Sequence, residues 1–596
     1  MIPRAPRPLS GRLLDPVIAL TLALGYLAAL LRSVQTLGYA RDEGFYFQAS
    51  SAYAGWFAQL LASPRAALAP RAVDAAWGVN HEHPGLIKSL FALSNLLLQQ
   101  KRHLFAMEGT SYRFPAMVLA GVAVAVVYLW GAEARGRVAG LSAALLFAAM
   151  PRVFFHAHLA CFDVPIVALW TLGAYAYWRA LRHGGLLAPL LAGIAFGLAL
   201  DTKHNSWFLP IACAAHFLAL ELWAALRRTR LAALLPAPGA PSLARRRSLA
   251  ALLAMALLGP LVFYALWPWI WHDTLHRLRD YALFHLNHEY YNMELLGKNY
   301  WAPPMPRSYA WLMTLATVPG VTLLLFALGL ITRARLWLGP LAREVAQPSR
   351  PAAPAASPPR MDAEATDLLW LLCVLINYAA WLSPQTPIFG GTKHWMTAYP
   401  FLALFAGVGV DAVVRAARRE LLRHRRSSPL AGRLGRAPVA VAALVGACVL
   451  AAPLAETAHA HPWGLSAYTP LVGGAPGAAT LGLNRTFWGY ATGSVADWLD
   501  REAPRGASVY YHDTAASSWD MLQRDGRLRR DLRGAWSIAG ADYGLYHHEK
   551  HMLGQEYQSW VAFGTLRPAH IAGLDGVPVI MVYEDPRVTA ARPPAR

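Results

Sequence analysis

Eleven charge-poor apolar runs divide the chain, near residues 16 to 31, 114 to 132, 138 to 151, 160 to 178, 186 to 200, 205 to 220, 248 to 271, 308 to 332, 367 to 383, 395 to 410 and 437 to 455. Hydrocarbon admits only structures that satisfy their own backbone, and a helix of ~20 apolar residues is the simplest that crosses it. The pattern predicts a mainly α fold, a polytopic transmembrane helical bundle of about eleven spans. Several runs fall short of that length, so neighbouring helices must cover their ends. A chain that is 56% hydrophobic and 15% charged suits this class and not a soluble one.

Orientation follows from arginine. The net charge of +20 comes from short basic blocks between apolar runs, not from one basic face, so the blocks read as topology signals and no nucleic-acid partner is expected. With the N-terminus in the cytoplasm, the inner segments hold Arg4, Arg7 and Arg12, then Arg135 and Arg137, then Arg179 and Arg182. Arg227, Arg228, Arg230 and Arg245 to Arg247 follow, then Arg333, Arg335 and Arg343, and last a block from Arg415 to Arg436. Residues 33 to 112, 152 to 160, 201 to 204, 271 to 307, 384 to 394 and everything after about 456 are then outside. All six lysines fall on that outer side. The first apolar run follows an Arg-bearing start, but Leu31-Arg32-Ser33-Val34-Gln35 offers no small-residue cleavage site, so it is expected to stay as a span. Cys161, Cys213, Cys373 and Cys448 sit in or at the ends of apolar runs, and no disulfide framework is implied. The Pro-, Ala- and Ser-rich stretch from Ala346 to Pro359 reads as a cytoplasmic linker. Residues 1 to 455 thus form the membrane module, with a long first outer loop over 33 to 112. Residues 456 to 596 form a small extracytoplasmic α/β domain, with strand-like runs at Ala507 to Tyr511 and Val577 to Tyr583 and a helix-like run at Ser517 to Arg529.

The chemistry-bearing residues gather on the outer side. Asp42 and Glu43 emerge where the first span leaves the membrane; acids there can cap a helix, but a carboxylate at a low-dielectric interface also suits a general base. Asn80-His81-Glu82-His83-Pro84-Gly85-Leu86-Ile87-Lys88 is a mixed-sign segment that reads as a hydrogen-bonded network. A metal on His81 and His83 is the lesser reading, because no third ligand stands at a diagnostic spacing. Asp163 lies at the outer mouth of the fourth span, with Arg113 as its expected partner. Lys203-His204 and Lys393-His394 repeat one pair between apolar helices, the second after Gly390-Gly391, and suit a phosphate anchored in lipid. Trp267 to Asp273 reads as an interfacial aromatic belt, and His547 to His551 as a solvated polar cluster.

Taken together, Asp42-Glu43, His83 to Lys88, Arg113-Phe114-Pro115 and Asp163 resemble the GT-C superfamily of membrane glycosyltransferases, particularly the protein O-mannosyltransferases of family 39 and the bacterial aminoarabinose transferases. Glu82 and His83 stand loosely where the mannosyltransferases carry acid-x-His-Pro-Pro, with Gly85 in place of the second proline. The resemblance implies a donor sugar on a polyprenyl phosphate, a bacterial inner membrane, membrane lipids as partners, and Asp42 as the base with Glu43 and Asp163 nearby. It also implies an inverting displacement in which the polyprenyl phosphate leaves toward cations such as Lys203, Lys393 and Arg113, with His81, Glu82, His83, Lys88, His204 and His394 beside the donor. No cofactor is expected, a divalent metal being the lesser alternative. A transporter or flippase would share the many spans, but its site would lie at the midplane between repeats, whereas these residues sit at the outer rim. An alkaline phosphatase fused to the C-terminus should be active, and a cytoplasmic reporter placed there should be silent; the opposite pair of results would overturn the arrangement.

Overall fold

The computed structural model describes residues 9–183, 185–226, 241–346 and 363–590. The expected linker, past Ala346, and the basic positions Arg4, Arg7, Arg227, Arg228 and Arg230 lie outside the described residues. The predicted runs are largely helical, the one near 308 to 332 being split into Tyr309–Thr317 and Gly320–Ala346, and the protein is a mostly helical, multi-pass membrane protein with a small sheet toward its C-terminus. Among the described residues eight helices are long and apolar enough to cross a membrane: Leu13–Thr36, Glu108–Arg135, His204–Ala225, Arg245–Leu266, Gly320–Trp337, Ala363–Leu382, Met396–Arg426 and Pro438–Ala460. Arg137–Ala148 and Pro151–Ala157, bent by 70° at their break, make a ninth if counted as one span. The other two expected spans are Asp163–His183, which is buried along nearly its whole length, and Leu187–Leu200, which has 14 residues. A helix walled by other helices needs no lipid-facing stripe, which is why Asp163–His183 tolerates its polar content.

The first outer loop folds as helices Arg41–Ala62, Pro70–Trp77 and Leu86–Ser94. Trp267 and Trp269 pack into this loop, in one core with Tyr53, Trp56 and Trp77. The expected aromatic belt is therefore an internal packing joint at these two positions. A hairpin follows, with β1 (Met293–Leu295) antiparallel to β2 (Lys298–Tyr300).

The C-terminal sheet contains β3 (Ser508–Tyr510), β4 (Arg533–Ala535), β5 (Tyr543–His547), β6 (His570–Leu574) and β7 (Val577–Glu584), in the order β4-β3-β5-β7-β6. Strand β3 runs parallel to β4 and β5, and the remaining pairs are antiparallel. The expected helix is shorter than its pattern, Ala516–Arg524, and Gly526 follows it with φ +72°. This region shares one core with the first outer loop, Tyr39, Phe47 and Tyr112 packing with Trp488, Tyr511 and Trp519. The approach is close: a Cβ on Gly38 would stand 2.1 Å from the Tyr490 carbonyl oxygen.

Glu43 and Arg113 fasten this joint, and both side chains are fully buried. Arg113 Nε donates to Glu43 Oε1 at 2.7 Å and Nη2 to Oε2 at 2.8 Å, a two-pronged geometry that only a planar guanidinium supplies. The amides of Ala160 and Ala40 donate to the same carboxylate, each at 2.9 Å. Arg113 also donates to the carbonyls of Leu37 and Gly38. Breaking a buried pair strands a charge, so Glu43→Gln or Arg113→Met should destabilise the protein by ~3–5 kcal/mol. Thermal unfolding in detergent checks this; an unchanged melting temperature for both variants would refute the fastening role.

Candidate functional site

Asp42 opens the helix Arg41–Ala62, one residue before Glu43. Successive helical residues point about 100° apart, so the carboxylate that locks the joint and the carboxylate that looks out of it cannot be the same group. Asp42 remains 23% exposed, with Lys393 Nζ 3.7 Å from its Oδ2. Lys393 is buried, and its ammonium lies 3.9 Å from the centre of the Trp488 ring. Burial lowers the Lys393 pKa, while the Asp42 and Asp163 carboxylates push it back up. Gly390 precedes with φ +69°, and a Cβ there would lie 2.4 Å from Lys393 Cε, so glycine is what lets the lysine fold back over its own turn.

Asp163 starts its helix at the same mouth. Its partners are Lys203 Nζ, donating at 2.6 Å, and His156 Nδ1 at 3.2 Å. Arg113, the partner expected from sequence, is instead consumed by Glu43. The two Lys-His turns are joined directly, the Asn205 side-chain amide donating to the His394 carbonyl at 2.8 Å. Lys203 and Lys393, 190 residues apart in the chain, thus come together around Asp163 and Asp42.

A ring of imidazoles stands beside these lysines. His204 packs against His285 with centroids 4.3 Å apart and rings tilted by 33°, and His83 lies 5.9 Å from His285 and 5.1 Å from Phe162. Burial holds the His83 pKa well below its ordinary value and that of His285 at about 4, so at neutral pH these rings are uncharged polar lining. The His394 ring meets the Phe389 carbonyl and packs on Trp381 at 4.7 Å. Among the described residues no group of three or more His, Cys, Asp or Glu side chains is arranged to hold a metal ion.

Several expected site residues serve the scaffold. Glu43 and Arg113 are fully buried and bonded to each other. Lys88 is buried and donates to the carbonyls of Asn80 at 2.5 Å and His83 at 2.8 Å, closing its own loop. His81 stacks on Trp269 at 4.7 Å, and Glu82 accepts from the Asn80 side-chain amide. The cluster at 547 to 551 is solvated only in part: His547 and Glu549 are buried, whereas Lys550 is exposed and donates to the Gly297 carbonyl, clamping the β1–β2 hairpin. Other residues adjoin Asp42. Arg41 donates to Asp513 Oδ1 at 2.6 Å, and the Arg41 amide donates to the Trp488 carbonyl at 2.7 Å. Adjacency to Asp42 could have pointed to Arg41; Trp488, Asp513 and His285 carry no local signal.

Residues 93–237 match the family described as dolichyl-phosphate-mannose-protein mannosyltransferase. That segment contains Arg113, Asp163, Lys203 and His204. The match falls in a family that the sequence motifs resemble. Among curated protein sequences none matches the chain. Of solved structures, ArnT from Cupriavidus metallidurans bound to undecaprenyl phosphate is 13% identical, covering 96% of this chain and 98% of its own with a TM-score of 0.41. The oligosaccharyltransferase AglB from Archaeoglobus fulgidus, in complex with an inhibitory peptide and a dolichol-phosphate, is 11% identical, covering 92% of this chain and 71% of its own with a TM-score of 0.44.

Burial lowers Lys88 to about 7, against ~10.4 in an unfolded chain. Between those values the unfolded state binds the extra proton, so stability should rise with pH from about 7 upward. The melting temperature of the wild type should accordingly climb between pH 7 and 9, and Lys88→Met should flatten that rise. Equal slopes in the two proteins would place the titration elsewhere.

Proposed function

We propose that the protein is an inverting glycosyltransferase that moves a sugar from a polyprenyl-phosphate donor to an acceptor hydroxyl on the outer face of a bacterial inner membrane. The observation that carries this reading is one partly exposed carboxylate, Asp42, set against the buried Lys393, with the buried Lys203 held on Asp163 beside them. The matched family description, which names a mannosyl group on a dolichyl phosphate, supports the same donor class.

In this reading Asp42 takes the proton of the acceptor hydroxyl as its oxygen attacks the anomeric carbon. The bond from that carbon to the phosphate oxygen breaks on the opposite side, which inverts the centre and releases polyprenyl phosphate. Its charge is met by Lys393 and Lys203, cations already in place before it develops. The two lysines differ in freedom. Lys203 is tied to Asp163 at 2.6 Å, whereas Lys393 meets Asp42 only at 3.7 Å. An arriving phosphate competes for the Lys393 ammonium, and each step of that exchange leaves Asp42 with less countercharge and more basicity.

Asp42→Asn keeps the shape and removes the base, so transfer should fall by ~10²–10⁴-fold while donor binding persists. Near-normal turnover in that variant would move the role to another group. Lys393→Ala should raise the apparent KM for polyprenyl phosphosugar roughly tenfold or more, the ~1.5–3 kcal/mol of a charge-assisted hydrogen bond. Lys203→Ala should do the same and also lower stability, because it strands Asp163. Unchanged donor affinity in both lysine variants would leave the phosphate without this site.

A further inference from the structure

Trp488 adopts φ +75° although it is neither glycine nor a small polar residue. A bulky side chain in the left-handed region is strained and persists only where its surroundings hold it. The surroundings here are specific. The Trp488 carbonyl accepts the Arg41 amide at 2.7 Å, so the strained residue is bonded to the position just before Asp42. The Arg41 side chain is in turn fixed to Asp513, whose own side chain is only 4% exposed. Gly489 follows, also at positive φ, and a Cβ on it would lie 2.3 Å from the Asp513 carbonyl oxygen, so the 488–489 turn is wedged against the segment that carries Asp513.

What the strain achieves is visible at the ring. The indole is buried, and the Lys393 ammonium sits 3.9 Å from its centre, with Phe389 on another side at 5.5 Å. A desolvated ammonium is attracted to a tryptophan face, which holds a flexible lysine in one place without neutralising it. A carboxylate in that position would pair with Lys393 tightly and compete with an incoming phosphate; an aromatic face does not.

We propose that Trp488, supplied by the C-terminal region, is a positioning residue that seats Lys393 for the lipid phosphate. This rests on the reading of Lys393 as a donor-binding residue. The C-terminal region thereby completes a site whose two lysines, Lys203 and Lys393, both come from the membrane module.

Undecaprenyl phosphate is the probe, titrated into the purified full chain in detergent. Trp488→Leu should weaken its binding by roughly tenfold and Trp488→Phe, which keeps a π-face, by much less. Lys393→Ala should weaken it at least as far as Trp488→Leu, and Lys393→Ala with Trp488→Leu should bind no worse than Lys393→Ala alone, since the ring acts only through the lysine. A full further loss in the double variant would overturn the proposal, as would equal binding by Trp488→Leu and the wild type. So would a Phe variant as weak as the Leu variant with its melting temperature unchanged. If Lys393→Ala itself binds undecaprenyl phosphate like the wild type, the donor-site reading falls; if it is weakened and Trp488→Leu is not, only the role of the ring falls.

Discussion

The buried pair of Glu43 and Arg113 is the contact on which the rest of the site depends. Two charges removed from water are tolerable only when their hydrogen-bonding capacity is filled, and here it is. Glu43 receives the guanidinium and the amides of Ala40 and Ala160, while Arg113 also reaches the carbonyls of Leu37 and Gly38 and lies over the Tyr39 ring at 4.3 Å. One ion pair therefore joins the end of the first span, the first turn of the outer-loop helix, the second span and the loop that leads to Asp163. The C-terminal region is bound to the same knot. Arg527 donates to the Leu37 carbonyl at 2.7 Å, and Tyr39 donates to Asp525.

That knot fixes what its neighbours are free to do. Glu43 is locked, so Asp42 is carried by a rigid helix start and still reaches solvent. Farther into the mouth the same contrast recurs between a tightly held cation, Lys203 on Asp163, and a loosely held one, Lys393 between Asp42 and Trp488. A site that must bind an anion and then release it as a leaving group needs cations that are present and not fully neutralised. The aromatic seat meets that need, because a π-face attracts an ammonium without cancelling its charge.

Much of this was legible in the sequence. Apolar runs and the alternation of arginine blocks report on each segment's own passage through a bilayer, a local property that a linear pattern can carry. The concentration of Asp42, Asp163, Lys203 and Lys393 at the outer ends of those runs was legible for the same reason, since an ionisable residue beside hydrocarbon stands out. Span number was less legible: Asp163–His183 is buried among other helices, which relaxes the demand for apolarity, and Leu187–Leu200 has only 14 residues. The linear pattern equally could not separate a tryptophan facing headgroups from Trp267, which is packed inside the outer loop.

The sequence by itself determined that the chain crosses a membrane repeatedly and that Asp42, Asp163, Lys203 and Lys393 stand near the ends of its apolar runs. Tertiary structure alone decided their roles. Asp42 and Glu43 are adjacent and chemically alike, yet one faces solvent and the other is sealed against an arginine 70 positions away. Lys88 and Lys393 are both buried lysines, but one closes a loop on backbone carbonyls and the other lies between the Asp42 carboxylate and an indole face. Trp488 and Asp513 entered the site from the far end of the chain without any local mark. The reason is physical: burial and hydrogen-bond saturation are set by contacts between distant segments, and a residue's type fixes what it can do while only its partners fix what it is left to do.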